Sequence, residues 1–239
     1  MTDTKTRTGA GATPLHQMDA LRLADMVERG ETTALAIVSD CLDRISEREG
    51  TVHAWSWVDR AGALAAARAL DAGPRRGPLH GVPFGVKDVI DTADMPTAYG
   101  SPIYDGYRPG IDATAVTALR RAGGIVLGKT VTAEFAHRLP GPTSNPLDPS
   151  RTPGGSSSGS AAAVADAMVP LALGTQTTAS TIRPASYCGV TGVEPTAHAF
   201  PLVNVTRPDE VRPSLSNEEA LRNAPSTANG LFIVPKIVE

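Results

Sequence analysis

Lysine is scarce in this chain of 239 residues: only Lys5, Lys87, Lys129 and Lys236 stand among its 22 basic side chains. Aromatic residues make up 4%, and there are two cysteines, Cys41 and Cys188. Two cysteines are too few for a disulfide framework, and neither has metal-ligand spacing with the five histidines. Both therefore read as small core residues, and no metal site is expected from them. The net charge of −3 leaves no basic footprint for nucleic acid. Nowhere do 18 apolar residues run together, and the first ten residues contain no apolar signal core. The expectation is a cytoplasmic protein with no membrane partner. A hydrophobic content of 41% is enough for one sizeable core.

Residues 1–14 are polar and rich in Gly and Thr, a disordered lead-in. Leu21, Ala24, Met26 and Val27 repeat at helical spacing up to Gly30, and Leu35, Val38, Leu42 and Ile45 mark a second helix, together a helical hairpin. A short strand is expected around residues 52–57, an Ala-rich helix from Ala63 to Leu70, and a loop from Gly73 to Gly81. A strand then carries Lys87. Thr114 to Ala122 reads as a helix ended by Gly123 and Gly124, and Ile125 to Leu127 as a buried parallel strand. Ala161 to Met168 reads as a helix and Val169 to Leu173 as a strand, ending at Gly174. This alternation predicts an α/β protein with a mixed, largely parallel central sheet flanked by helices. From 199 to 239, Pro201, Pro208, Pro213, Pro225 and Pro235 break the chain into short pieces, with Leu231 to Val234 a possible strand.

Three polar residues stand in unusual frames: Lys87 in Gly-Val-Pro-Phe-Gly-Val-Lys-Asp, Ser156 in Gly-Gly-Ser-Ser-Ser-Gly-Ser, and Ser180 in Gly-Thr-Gln-Thr-Thr-Ala-Ser-Thr-Ile-Arg-Pro. A serine hydroxyl needs a base to become a nucleophile at neutral pH, and no histidine stands at the spacing of the Ser-His-Asp arrangements. Lys87 is the lysine in an apolar frame, among Val82, Phe84, Val86, Val89 and Ile90, where desolvation favours the neutral amine. The plainer alternative pairs Lys87 with Asp88 at a strand end and leaves both serines in turns. A second motif, Gly123 to Thr130, fits the phosphate-binding P-loop pattern by letter. Its middle is Ile-Val-Leu, and a strand lies inside it rather than before it, so nucleotide binding is rejected. Lys129 is expected instead to cap a strand or to meet Glu134.

Taken together, these frames resemble the amidase signature family of Ser-Ser-Lys hydrolases, in the right order and over roughly residues 15–198. Gly154 and Gly155 open the serine loop, and Arg183, Pro184, Cys188 and Gly189 continue the pattern after Ser180. The resemblance implies an amidase signature fold with an incomplete C-terminal part, with residues 199–239 a divergent tail. It implies Lys87 as the catalytic base, Ser156, with a cis peptide bond, as the bridging serine, and Ser180 as the nucleophile. It also implies an oxyanion hole from backbone N–H groups of Thr177, Thr178, Ala179 and Ser180. The activity implied is hydrolysis of a C–N bond in a small amide or carbamate through an acyl-enzyme, with esters a minor variant. Homo-oligomerisation through an exposed sheet edge is the association expected.

The chain departs from the family pattern at Thr178-Ala179, where Gly-Gly or a small residue followed by Gly is usual. If that position needs positive φ, an Ala costs roughly 1 kcal/mol. It departs again at Glu194, where a lysine is usual, and after Ala199 the resemblance ends. These departures keep a second reading open, a non-catalytic binding protein or an amidotransferase A-like subunit on the same fold. His137 and Arg138, and Tyr99, Tyr104 and Tyr107, either face substrate or pack as ordinary loop residues.

Overall fold

In the computed structural model, residues 13–193 are described in full, together with the backbone of two short strands near the C-terminus. The first strand of the sheet is preceded by two helices, α1 (Ala20–Glu28) and α2 (Ala34–Val52). Each starts at a residue able to satisfy a free amide: the Asp19 carboxylate accepts from Arg22 N, and the Thr33 hydroxyl from Ala36 N. The expected hairpin is present. α2 does not stop before Val52, however, as a strand there would require. It runs through Gly50 because Val52 is fully buried in the core. The Glu49 carboxylate then accepts from Ala54 N and Trp55 N, the first amides of the following turn. The strand accordingly begins later, as β1 (Trp55–Val58), and leads into α3 (Arg60–Asp71), capped by Asp59 on Gly62 N. Asp71 reaches back to accept from Ala34 N and Leu35 N, so the end of α3 caps the start of α2.

The sheet continues with β2 (Pro83–Lys87), α4 (Thr114–Arg121), β3 (Ile125–Thr130), α5 (Ser158–Ala165) and the short β4 (Ala172–Leu173). The strand order is β1-β3-β2-β4, with β2 parallel to both β3 and β4, and β1 antiparallel to β3. The sheet is mixed and largely parallel, as expected. Every residue of β2 and β3 is buried, which two central parallel strands covered on both faces require. On one face Leu23, Ile37, Leu42, Ala67, Leu127 and Ala162 bring α1, α2, α3 and α5 into one core. On the other, Phe84, Val86, Met95, Val116 and Val126 pack under α4. No helix among the described residues is long and apolar enough to cross a membrane.

Three further elements differ in their bounds from the sequence expectation. β3 extends through Gly128, Lys129 and Thr130, since the lysine is accommodated within the strand. α5 starts at Ser158 rather than Ala161 and ends at Ala165, because Ala167 adopts φ 55. Val169 is buried but unpaired, and only Ala172–Leu173 joins the sheet, against Gly85 and Val86. A helix without a sequence expectation, α6 (Ile182–Cys188), follows Ser180. Cys41 and Cys188 are both buried, and burial pushes their thiols up to about 12 and about 11. The chain divides into two units, Met1–Pro195 and Thr196–Glu239. In the second, β5 (Thr227–Ala228) pairs antiparallel with β6 (Leu231–Phe232). The rest of the expected strand to Val234, the lead-in before Thr13 and the Glu194 position lie outside the described residues.

Candidate active site

The C-terminal ends of β2 and β4 point the same way, and open parallel sheets gather functional groups at such ends. Lys87 is the last residue of β2 and is fully buried. Its side chain lies on the α5 face of the sheet, the face that Thr130, its partner on β3, shares through a 2.7 Å hydrogen bond to Ser160 Oγ. Lys87 Nζ donates to Ser156 Oγ at 2.8 Å and to Thr175 Oγ1 at 2.6 Å, with Thr175 O at 3.5 Å. Desolvation disfavours the ammonium and lowers the Lys87 pKa to about 8.

Ser156 lies in the loop that opens α5, and the Gly155–Ser156 peptide bond is cis. Two contacts fix its place: Ser156 O accepts from Ala133 N at 3.0 Å, and Gly159 N donates to Val131 O at 2.9 Å. Gly159 has to be glycine, because a Cβ there would run into Ala54 O and Val131 N. Small residues at 158–163 thus let α5 lie directly on the sheet and bring Ser156 to Lys87.

Ser180 closes the turn between β4 and α6. Ser157 N donates to Ser180 O at 3.1 Å, which joins the two serine segments through the backbone. The Ser157 hydroxyl bridges Thr175 N and O, both at 3.2 Å. Gln176 Oε1 accepts from Thr181 N and Ile182 N at 2.9 and 3.0 Å and so caps α6 from upstream. Ala179 sits at φ 62, the left-handed region, and its carbonyl accepts from Arg183 N. Among the described residues, none of the backbone N–H groups of Thr177, Thr178, Ala179 and Ser180 donates to another protein group. Nor does a hydrogen bond join the Ser156 and Ser180 hydroxyls there. Ser180 is half-buried.

Of the three residues singled out from sequence, Lys87 and Ser156 meet through their side chains and Ser180 is tied to the serine loop through its backbone, while the plainer pairing of Lys87 with Asp88 does not occur. Asp88 turns to the opposite face and meets Lys129 at 3.4 Å. Lys129 likewise does not meet Glu134: its amine donates to Ile90 O at 2.8 Å and Thr97 Oγ1 at 2.6 Å. Thr175 is a contact of Lys87 that sequence reasoning passed over. The signal was its place directly after the glycine ending β4, which the β2–β4 register sets level with Lys87. His137 and Arg138 are exposed, yet they line a cleft of about 340 Å³ with Gly154, Gly155, Arg183 and Tyr187. Tyr99, Tyr104 and Tyr107 pack on one another, with ring centroids 4.9–6.3 Å apart, and Tyr104 meets the exposed Phe135. No group of three His, Cys, Asp or Glu side chains able to hold a metal occurs among the described residues.

Comparison with known proteins gives a consistent result. The family model described as Amidase matches residues 36–218. In Acidothermus cellulolyticus, the A subunit of glutamyl-tRNA(Gln) amidotransferase is 49% identical over 187 residues, 74% of this chain and 37% of that protein. Among solved structures, the native peptide amidase from Stenotrophomonas maltophilia superposes with a TM-score of 0.72 at 37% identity, covering 77% of this chain and 41% of that one. An inhibitor-bound protein of a vestigial complex tied to the origins of an s-triazine catabolic enzyme also gives 0.72, at 35% identity, covering 75% and 42%. The chain thus spans about two-fifths of the length of the relatives it matches.

Proposed function

The chain belongs to the amidase family, and from that premise we propose that it hydrolyses a C–N bond of a small amide or carbamate through Ser180, Ser156 and Lys87. The observation that carries this reading is the buried Lys87 amine, 2.8 Å from the Ser156 hydroxyl and with a pKa lowered to about 8. About a tenth of such an amine is neutral at pH 7, against well under a thousandth of an ordinary lysine.

The neutral amine accepts the Ser156 hydroxyl proton while Ser156 Oγ accepts the proton of Ser180. Ser180 Oγ forms a bond to the carbonyl carbon, and negative charge collects on the carbonyl oxygen. The amides of residues 177–180 are the donors proposed to receive it, a contribution of roughly 3 kcal/mol each in comparable sites. Collapse of the tetrahedral species breaks the C–N bond, and the proton held on Lys87 returns through Ser156 to the leaving nitrogen. Water then attacks the Ser180 ester by the same relay. A hydroxyl suits the middle position because it donates and accepts at once. The contact between the two serine hydroxyls forms as substrate binds, as catalytic hydrogen bonds often do.

The cleft beside Gly154 and Gly155 carries Arg138 and Arg183, which favours a substrate with negative charge or carbonyl groups near the scissile bond. Because a peptide amidase is among the structural relatives, peptide amides are the first substrates to try. Ammonia release from a panel of peptide amides and small acyl amides, lost in Ser180→Ala, supports the proposal; a folded chain that releases none from any of them refutes it. A second reading, an amidotransferase A-like component of a larger enzyme, is favoured by the higher identity to that protein, 49% against 37%. Under it, ammonia release appears only when partner proteins are added.

A further inference from the structure

Lys129 is fully buried and plays no part in the relay just described. Successive strand residues point to opposite faces, so Lys129, the partner of Val86 on β2, projects away from Lys87. Its amine meets four oxygens there: Asp88 Oδ1 at 3.4 Å, Ile90 O at 2.8 Å, Pro96 O at 3.4 Å and Thr97 Oγ1 at 2.6 Å. Asp88, directly after Lys87, is itself 2% exposed, and its carboxylate accepts from Ala98 N at 3.2 Å. A carboxylate buried beside a base that must lose its proton works against that base unless something cancels its charge.

We infer that Lys129 is a positioning residue for the proposed base, pairing with Asp88 on the far face of the sheet so that Lys87 meets only neutral partners. The inference rests on Lys87 acting as that base. The other elements around Lys87 agree with it. The serine loop and α5 offer hydroxyls from Ser156 to Ser160 and then alanines, and β4 with its turn has no ionisable side chain from Val169 to Ile182. Across β2, β3 contributes Thr130. α2 turns Ile37, Val38, Leu42 and the protonated thiol of Cys41 toward the core. Arg183 is exposed and donates to Thr178 O. Lys129 also feels the Asp91 and Asp94 carboxylates of the loop after β2, so among the described residues Asp88, next to Lys87 in sequence, is the charge left uncancelled beside it if Lys129 were neutral. Burial pushes the Asp88 carboxyl up and the Lys129 amine down, and each charge opposes the shift of the other. The lowering of the Lys87 pKa is caused by desolvation.

Because the chain has four lysines, carbon-13 labelling at lysine Cε gives a spectrum simple enough to titrate Lys87 directly, assigned through Lys87→Met. By Coulomb's law, a unit charge about 10 Å from a titrating group at an effective dielectric of about 20 moves its midpoint by on the order of one pH unit. The wild-type midpoint is expected near 8, raised by about one unit in Lys129→Met, lowered in Asp88→Asn, and restored in the double variant. A folded Lys129→Met whose Lys87 midpoint matches the wild type overturns the inference. If that variant does not fold, an Asp88→Asn midpoint equal to the wild type overturns it equally. The hydrolase reading fails separately, since Ser180 could remain inert while Lys87 titrates as stated.

Discussion

Replacing Ala179 with glycine should raise the stability of the protein. Ala179 holds φ 62 between β4 and α6, where the Cβ of an L-residue crowds its own backbone and costs about 1–2 kcal/mol. The conformation is imposed by its surroundings: Ala179 O accepts the Arg183 amide in the first turn of α6, and the next residue is tied to Ser157 N. Glycine removes the crowding but adds about 0.5–1 kcal/mol of unfolded-chain entropy, so the net gain is about 0.5–1 kcal/mol. For a domain of this size that corresponds to a rise in Tm of about 1–4 °C by calorimetry. Valine, stiff and branched at Cβ, should lower Tm. Since the glycine leaves the four amides of residues 177–180 where they are, the reactivity of Ser180 should be kept. An Ala179→Gly variant that melts below the wild type, or a valine variant that melts above it, would refute the assignment of strain to this turn.

Two further substitutions test the packing that builds the site. Gly159→Ala should cost several kcal/mol, in line with the largest single-site effects, because its Cβ would meet the Ala54 and Val131 backbone; a Cm in urea unchanged from the wild type would contradict the direct seating of α5 on the sheet. Thr175→Val removes the 2.6 Å acceptor of Lys87 while keeping the shape, so the Lys87 midpoint should fall below about 8 and the stability change should stay near 1–3 kcal/mol. A midpoint that rises would show that Thr175 does not favour the ammonium.

Much of the fold could be read from periodicity and capping residues, and the failures have identifiable causes. α1 to α4 carry apolar stripes bounded by Asp19, Thr33, Asp59 or a glycine pair, signals local in sequence. α6 lacked such a signal because Thr181 makes no side-chain cap and the capping oxygen comes from Gln176, while Pro184 reads as a breaker although it fits a first helical turn. β3 looked short because a lysine in a strand reads as its end, and what makes Lys129 acceptable is a loop, residues 88–97, that only tertiary structure brings over it. At the candidate site, the frames of Lys87 and Ser156 pointed to two side chains that meet, and that of Ser180 to a residue tied to the serine loop through its backbone. Thr175 and the Asp88–Lys129 pair could not, since the first depends on strand register and the second on which face each side chain takes.

The central claim is that a neutral Lys87 activates Ser180 through Ser156, and covalent labelling by a fluorophosphonate, followed by peptide mass spectrometry across pH, tests it most directly. The account predicts one label per chain, at Ser180, with a rate that rises as pH increases through about 8 and falls by orders of magnitude in Lys87→Met and in Ser156→Ala. Label at another residue, or at Ser180 with a rate indifferent to both substitutions, would contradict it.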